Sequence, residues 1–100
     1  MNEEKQENKW IRILQRRIRN FAEITRRKKM IKKRKKEILQ TYLQLGRHTY
    51  QSFLSQQPSD QIAPLSSLIQ QQTAEIEELQ RQIRQLRQGE EEADFIDRLF

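Results

Sequence analysis

The chain has 100 residues with a net charge of +6 at pH 7, and 34% of its residues are apolar. It contains no Cys, which excludes disulfides, thiolate metal sites and cysteine nucleophiles. So few apolar residues can form one small domain, and two helices bury less surface than a compact globule of equal length. We therefore expect oligomerisation or a bound partner.

The positive charge is concentrated in the first half of the chain. Residues 1–55 have a net charge of +11, residues 56–88 of −1 and residues 89–100 of −4. The chain starts with MNEEKQENKWIRIL, which has acids where a secretory signal has a basic stretch, and no apolar run exceeds two residues. These features predict a cytoplasmic protein without a membrane span.

A long basic helix is predicted at residues 9–55, after a disordered N-terminus at residues 1–8. The segment contains no Pro and a single Gly, and apolar residues recur along it at helical spacing. We call the line of residues that faces a second helix the seam. Lys28 and Lys35 are expected at alternate positions of this seam, where their aliphatic stems can cover apolar surface. The other seam positions are filled by residues seven apart: Ile24, Ile31, Ile38 and Leu45.

A turn is predicted at residues 56–64 and a second coiled-coil helix at residues 65–88. The turn contains two Pro, and Ser59 or Asp60 can cap the following helix, with Pro64 tolerated in a first helical turn. The heptad pattern of this region is carried by Ile62, Leu65, Ile69, Ile76, Leu79, Ile83 and Leu86.

Two seamed helices joined by a short connection predict an all-α fold, a two-helix antiparallel coiled-coil hairpin that forms oligomers. A parallel dimer is the alternative, because Ile and Leu alternate in the second helix as they do in parallel two-stranded coiled coils. In such a dimer, residues 62–88 of the two copies would form the coiled coil, and the first helices would diverge from each other.

The position of the turn sets the expected pairing of the two helices. If the turn lies at Pro58, residues whose numbers add up to about 116 lie side by side. Ile76 is then near Ile38, and residues 90–92 lie beside residues 26–29.

The second helix is expected to be too short to reach the start of the first. An apolar stripe is left uncovered there, and we expect it to bind another copy or a partner: Trp10, Leu14, Ile18 and Phe21.

Gly89 is predicted to end the second helix, which leaves residues 89–100 as an acidic tail or one short helix. The end of this tail resembles, in type, the acidic C-terminal peptides of single-stranded-DNA-binding proteins, which dock partners through a terminal Phe. The resemblance implies that acids steer the tail to a basic groove and an aromatic ring fills a pocket. A solubilising tail is the alternative. The predicted partner-binding residues are Phe95, Ile96, Leu99 and Phe100.

Residues 26–36 contain nine basic residues in eleven and form a candidate phosphate-binding site. At 100° per residue the run surrounds the helix, which suits a phosphate backbone or an acidic protein better than a membrane surface. The alternatives are a basic-zipper DNA reader and a solvated helix partly neutralised by the acids of the tail. The basic residues are Arg26, Arg27, Lys28, Lys29, Lys32, Lys33, Arg34, Lys35 and Lys36.

Nothing in the sequence predicts catalysis. The single His, His48, has no Cys or second His at ligand spacing. The sequence has no arrangement typical of a nucleophile with its base, a Gly-rich phosphate loop or a carboxylate dyad. We therefore expect no enzyme activity, no metal, no cofactor and no small-molecule substrate.

Residues 24–54 resemble a family of small bacterial coiled-coil proteins. In that family a charged helix leads to a Tyr-x-x-Leu-Gly-x-x-x-Tyr-like segment, followed by a second short coiled-coil helix and often by a zinc ribbon. The resemblance implies a helical hairpin with no established chemistry, and without Cys the chain cannot carry the zinc ribbon. The matching residues are Tyr42, Leu45, Gly46 and Tyr50.

The Arg/Lys-rich stretch that leads to Leu45 and Gly46 is also similar to small accessory proteins of plasmid mobilisation, which implies DNA binding. Two functions are therefore predicted. The first is a non-enzymatic scaffold or adaptor that self-associates and docks a protein partner. The second is a nucleic-acid-binding accessory protein whose basic run contacts phosphates. Salt separates them, because phosphate binding weakens steeply with salt and apolar docking changes little.

Overall fold

The computed structural model of the chain is a hairpin of two long antiparallel helices. It describes the backbone of residues 2–99 and the side chains of residues 8–99. Helix α1 spans Asn2–Ser55 and helix α2 spans Ile62–Leu99. The predicted all-α hairpin is confirmed.

The hairpin is a rod with a thin core. It measures 81 × 18 × 12 Å and has a radius of gyration of 22.8 Å, against roughly 13 Å for a compact chain of this length. The buried apolar side chains are Ile76, Leu79 and Ile83 of α2. Within the described residues no side chain is completely buried. A core of this size leaves much of the apolar surface of α1 in solvent.

Helix α1 begins earlier than the sequence predicts. It starts at Asn2, so the predicted disorder of residues 1–8 is wrong over the part that the structure describes. The segment is rich in Glu, Lys and Gln, which have good helix propensity.

Helix α2 is longer at both ends than the predicted 65–88. It starts at Ile62 and continues through Gly89 to Leu99, so Gly89 does not end it. Gly costs about 1 kcal/mol of helix propensity relative to Ala, but it keeps the backbone N–H that the helix needs. Contacts of the following residues with α1 can offset a cost of that size.

The connection between the helices occupies six residues, 56–61, and reverses the chain at Gln56. Gln56 has a φ of 55°, in the left-handed region where helices commonly end. The Gln61 carbonyl accepts a hydrogen bond from the Leu65 amide at 3.1 Å. This bond places Gln61 in the N-cap position of α2, instead of the predicted Ser59 or Asp60.

The helices pair one heptad away from the predicted register. Arg34 Nε lies 3.0 Å from Glu75 Oε2, and Arg27 Nε donates to Gln82 Oε1 at 2.9 Å. The residue numbers of each pair add up to 109, so the prediction of about 116 is wrong. A shift of one heptad brings the same kinds of seam residue together, and the path of the connection decides between the two registers. α1 therefore projects roughly two turns beyond the start of α2.

Polar residues occupy alternate positions of the α1 seam. Arg27 and Arg34 are half-buried there and Thr41 is buried, whereas Lys28 and Lys35 are exposed, so the prediction that these lysines lie in the seam is wrong. Each of the two arginines reaches across to a polar side chain of α2. A planar guanidinium with several fixed donors suits such a position better than a strongly hydrated ammonium group.

The middle of the hairpin also contains a buried amide. In the observed register Gln72 lies level with Ile38, so the predicted pairing of Ile76 with Ile38 is wrong. Gln72 is buried, and its Oε1 has no hydrogen-bond partner among the described residues. An unpaired buried polar group costs about 1–3 kcal/mol, so this position weakens the seam where an apolar residue would strengthen it.

Candidate interaction surfaces

Ion pairs join the two helices at the open end of the hairpin, the end opposite the connection. Arg16 Nη2 lies 2.6 Å from Asp94 Oδ1, and Arg16 Nη1 lies 3.1 Å from Asp97 Oδ2. Arg17 Nη2 lies 2.9 Å from the second oxygen of Asp94. We call these four residues, Arg16, Arg17, Asp94 and Asp97, the clasp. Since α2 reaches the start of α1, the prediction that it is too short to do so is wrong.

The seam of α2 becomes acidic as it approaches the clasp. Glu90 and Asp97, which stand seven residues apart, are both half-buried. Glu90 Oε1 lies 3.8 Å from Arg17 Nε. The prediction that residues 90–92 lie beside residues 26–29 is therefore wrong. The acids Glu90, Asp94 and Asp97 therefore pair with the first third of α1, whereas Glu75 contacts Arg34 of the basic run.

The clasp shifts the pKa of one carboxylate. Partial burial raises the pKa of Asp94, but the hydrogen bond and charge of Arg17, together with those of Arg16, outweigh burial and lower the pKa below its ordinary value of 3.8. Asp94 is therefore charged at neutral pH, and its ion pairs are in place.

The N-terminal stripe, defined as Trp10, Leu14, Ile18 and Phe21, is exposed as the sequence predicts. Trp10 exposes 69% of its surface and Phe21 exposes 72%, and the other two are also exposed. α2 packs on another side of α1, where Ile13 is half-buried. The stripe therefore stays open even though α2 runs alongside it, and its binding role stays a prediction.

The tail cluster, defined as Phe95, Ile96 and Leu99, is exposed on the last two turns of α2. Its residues belong to a continuous helix that the clasp holds against α1. Phe100, which completes the predicted set, lies outside the described residues. The predicted docking residues are therefore presented from a helix whose position is set by ion pairs.

The N-terminal stripe and the tail cluster lie at the same end of the rod but on opposite flanks. Trp10 lines a shallow groove with Arg98 on one side of the clasp. Ile96 lines a second groove with Arg12 on the other side. A partner bound to one cluster would therefore leave the other accessible.

The arginines and lysines of residues 26–36 play different structural roles. Arg26 and Arg27 form ion pairs with Glu23, and Arg34 forms ion pairs with Glu37 and Glu75. The hydrogen bond from Arg27 is the largest effect on Glu23, and with the charges of Arg26 and Arg27 it lowers the pKa of that carboxyl against the effect of burial. Across the residues that the structure describes, every ion pair uses an arginine.

The lysines of the run form an exposed face. They occupy the outer side of α1, away from the seam that packs on α2, and over residues 8–99 none of them forms an ion pair. We call them the lysine face. They are Lys28, Lys29, Lys32, Lys33, Lys35 and Lys36. The run does surround the helix, as predicted, but its lysines share one side because the arginines of the seam face inward.

A further set of exposed apolar residues continues the N-terminal stripe beyond the lysine face. These residues follow one another at intervals of three or four, so they lie on the same line of α1 as Leu14, Ile18 and Phe21. We call the whole line the outer stripe, and its second apolar part consists of Leu39, Tyr42, Gly46, Tyr50 and Phe53. The three-and-four spacing of this second part is visible in the sequence, but it is hidden beside the seven-residue ladder of Ile38 and Leu45.

No family model, curated protein or solved structure matches the chain in the three comparisons. Among the described residues there is no group of three His, Asp or Glu side chains placed to hold a metal ion. Neither helix, over its described length, has a stretch long and apolar enough to cross a membrane.

Proposed function

We propose that the protein is a non-enzymatic scaffold or adaptor of the cytoplasm that self-associates and docks a protein partner. The observation that supports this most is the N-terminal stripe, four large apolar side chains exposed in a row on a continuous helix. Apolar anchors at helical spacing are the means by which a helix binds a groove on a partner. Aromatic anchors such as Trp10 contribute most to such interfaces.

The total surface supports association. The chain has an accessible surface of 8618 Å², whereas a compact monomer of 12.3 kDa has roughly 6,100 Å². The excess, about 2,500 Å², is larger than the total of about 1,200–2,000 Å² that a standard interface buries. The chain therefore has enough uncovered surface for a stable interface with a second copy and for a further partner.

The opposite positions of the two apolar clusters support an adaptor in particular. In this proposal the N-terminal stripe joins copies of the chain, and the tail cluster with Phe100 docks another protein. Because the clusters lie on different flanks of the clasp, both contacts can exist at once. The acids around the tail cluster favour a partner with a basic groove.

The test of self-association is the solution mass, measured by light scattering from about 1 to 100 µM, which detects binding free energies from about −8 to −5.5 kcal/mol. The chain is expected to exceed the mass of one copy, and Leu14→Asp with Ile18→Asp is expected to restore it. A matched control, Gln15→Asp with Ala22→Asp, places the same charges beside the stripe and should leave the mass unchanged. An unchanged mass in the first variant, with unchanged helix content, would contradict the proposed role of the stripe.

A second function, nucleic-acid binding, is favoured by the lysine face. Six exposed lysines lie together without ion pairs among the described residues, and the acids of residues 90–97 lie beside the first third of α1. If all six contact phosphates, the logarithm of the affinity for duplex DNA should fall with the logarithm of salt with a slope near −5. A gel shift on nonspecific duplex DNA and RNA at two salt concentrations tests this. Absence of a shift at the lower concentration would reject it.

A further inference from the structure

Helix α1 carries two lines of contact residues. The first is the seam that packs on α2, with Arg27, Ile31 and Arg34 at its centre. The second is the outer stripe, which follows one residue later in each heptad and lies about 100° further round the helix. A helix with two such lines can contact two neighbouring helices at once, and within the hairpin only one neighbour is present.

Three pairs of residues lie at equal distances from Lys32, one member of each pair on either side of it. They are the exposed Ile11, which neighbours the stripe, with Phe53, Leu14 with Tyr50, and Ile18 with Gly46. Two copies of α1 that run antiparallel around a two-fold axis at Lys32 would bring each pair together. An interface around a two-fold axis requires this kind of self-complementary surface.

Gly46 provides an independent observation. It lies inside a long helix, where Gly weakens the helix relative to Ala. A Cβ atom at this position would have nothing within 4 Å, so the hairpin itself gives no reason for the missing side chain. In the two-fold arrangement Gly46 faces Ile18 of the second copy. A residue without a side chain at that point lets the backbones approach closely and accommodates the isoleucine.

We propose that two copies of the chain pack α1 against α1 in antiparallel orientation along the outer stripe, with the two-fold axis at Lys32. The proposal rests on the self-association proposed above and names its surface and geometry. It gives a bundle of four helices in which each α1 contacts its own α2 through the seam and the other α1 through the outer stripe. The excess accessible surface of the single chain is large enough for this interface.

The lysines at the centre of the interface give it a recognisable salt dependence. Lys32 of one copy faces Lys32 of the other, while Lys28 and Lys35 lie level with Lys36 and Lys29 of the other copy. Their stems pack and their ammonium groups are directed to water. In the observed register α2 brings the exposed carboxylate of Glu77 close to the level of Lys32, which partly offsets the repulsion. Salt screens the remaining repulsion, so added salt should strengthen this dimer. Phosphate binding has the opposite dependence.

Cysteine cross-linking tests the geometry, because the chain has no Cys of its own. A Lys32→Cys variant is expected to form a disulfide-linked dimer under mild oxidation, since residue 32 faces itself across the axis. Lys33→Cys, one position further round the helix, is the matched control and should cross-link at least tenfold more slowly. Helix content is measured for both variants, and both positions are exposed in the hairpin.

A mixture of two variants tests the orientation. Leu14→Cys mixed with Tyr50→Cys is expected to give a mixed dimer, while each variant alone gives little product. Efficient cross-linking of Leu14→Cys with itself would indicate a parallel or end-to-end arrangement and would overturn the proposed geometry.

The solution mass separates failure of the geometry from failure of self-association. A mass above one copy without these cross-links would overturn the geometry and leave self-association in place. A mass of one copy at about 100 µM and high salt would overturn both, because the dissociation constant would then lie above about 100 µM. The dimer dissociation constant is expected to fall at least threefold between 50 and 500 mM NaCl, since the Debye length shortens about threefold over that range. A rise would overturn the proposal.

Discussion

The middle of the hairpin and its open end are held together by different interactions. In the middle, Ile76, Leu79 and Ile83 pack into the seam and are the buried apolar residues of the structure. At the open end, the clasp joins the helices through charged groups that remain partly in contact with water. Apolar burial is insensitive to pH and moderate salt, whereas half-exposed ion pairs depend on both. The two regions should therefore respond to different perturbations.

The largest expected effect comes from removing apolar surface in the middle. Ile83→Ala should lower the free energy of unfolding by about 2 kcal/mol, the lower end of the range for buried Ile, because the core is thin. The measurement is urea unfolding followed by helical circular dichroism at one protein concentration. Gln85→Ala, at an exposed position two residues later, is the control and should change stability by less than about 0.5 kcal/mol. Equal effects would show that the seam does not hold the middle.

The buried amide predicts a gain in stability. Gln72→Leu removes a polar group without a hydrogen-bond partner among the described residues, and it should raise the free energy of unfolding by about 1 kcal/mol. Gln70→Leu, at an exposed position, should have little effect. The same urea titration measures both. A loss of stability in Gln72→Leu would show that its amide is satisfied in solution, for example by water.

Acid should loosen the open end before the middle. The pKa of Asp94 in the folded chain is lowered below 3.8, so its ion pairs contribute above that value and are lost as the pH falls through the lowered pKa. Trp10 lies beside Asp94 and can report on this end by its fluorescence. Its emission should change below pH 3.8 and should already be changed at neutral pH in Asp94→Asn. A transition shared with the helix signal of the whole chain would contradict separate responses.

The smallest expected effect concerns the lysine face. Because the acids of residues 90–97 pair with Arg16 and Arg17 and not with the lysines, deletion of residues 90–100 should change the affinity for duplex DNA less than about twofold. Gel shifts of the two chains at the same salt concentration measure the ratio. A large gain in affinity on deletion would show that the tail covers the lysines in solution.

The fold could be predicted from the sequence because it follows from heptad spacing. Ile62 to Ile83 and Ile24 to Leu45 repeat every seven residues, and a narrow apolar line requires a second helix. The register could not be predicted in the same way. A shift by one heptad leaves the pattern unchanged, and heptad spacing does not encode the left-handed conformation at Gln56, where the connection begins.

The candidate surfaces were predictable in part. The N-terminal stripe was found because its four residues follow one another at helical spacing. Its continuation at Leu39–Phe53 was missed because the seven-residue ladder from Ile24 to Leu45 was taken as the apolar line of this part of α1. The continuation of α2 past Gly89 was missed because a glycine after a helical pattern commonly marks the end of a helix. The ion pairs that favour its helical conformation lie about 80 residues away in the chain, at Arg16.

The difference between arginines and lysines in α1 has a consequence for chemical modification. All ion pairs of the described residues involve arginine, and the six lysines of the lysine face are exposed. Acetylation of lysine removes its charge and does not act on guanidinium groups. Acetylation could therefore neutralise the outer side of α1 while the hairpin keeps the ion pairs that hold it, so its surface charge can be changed independently of its fold.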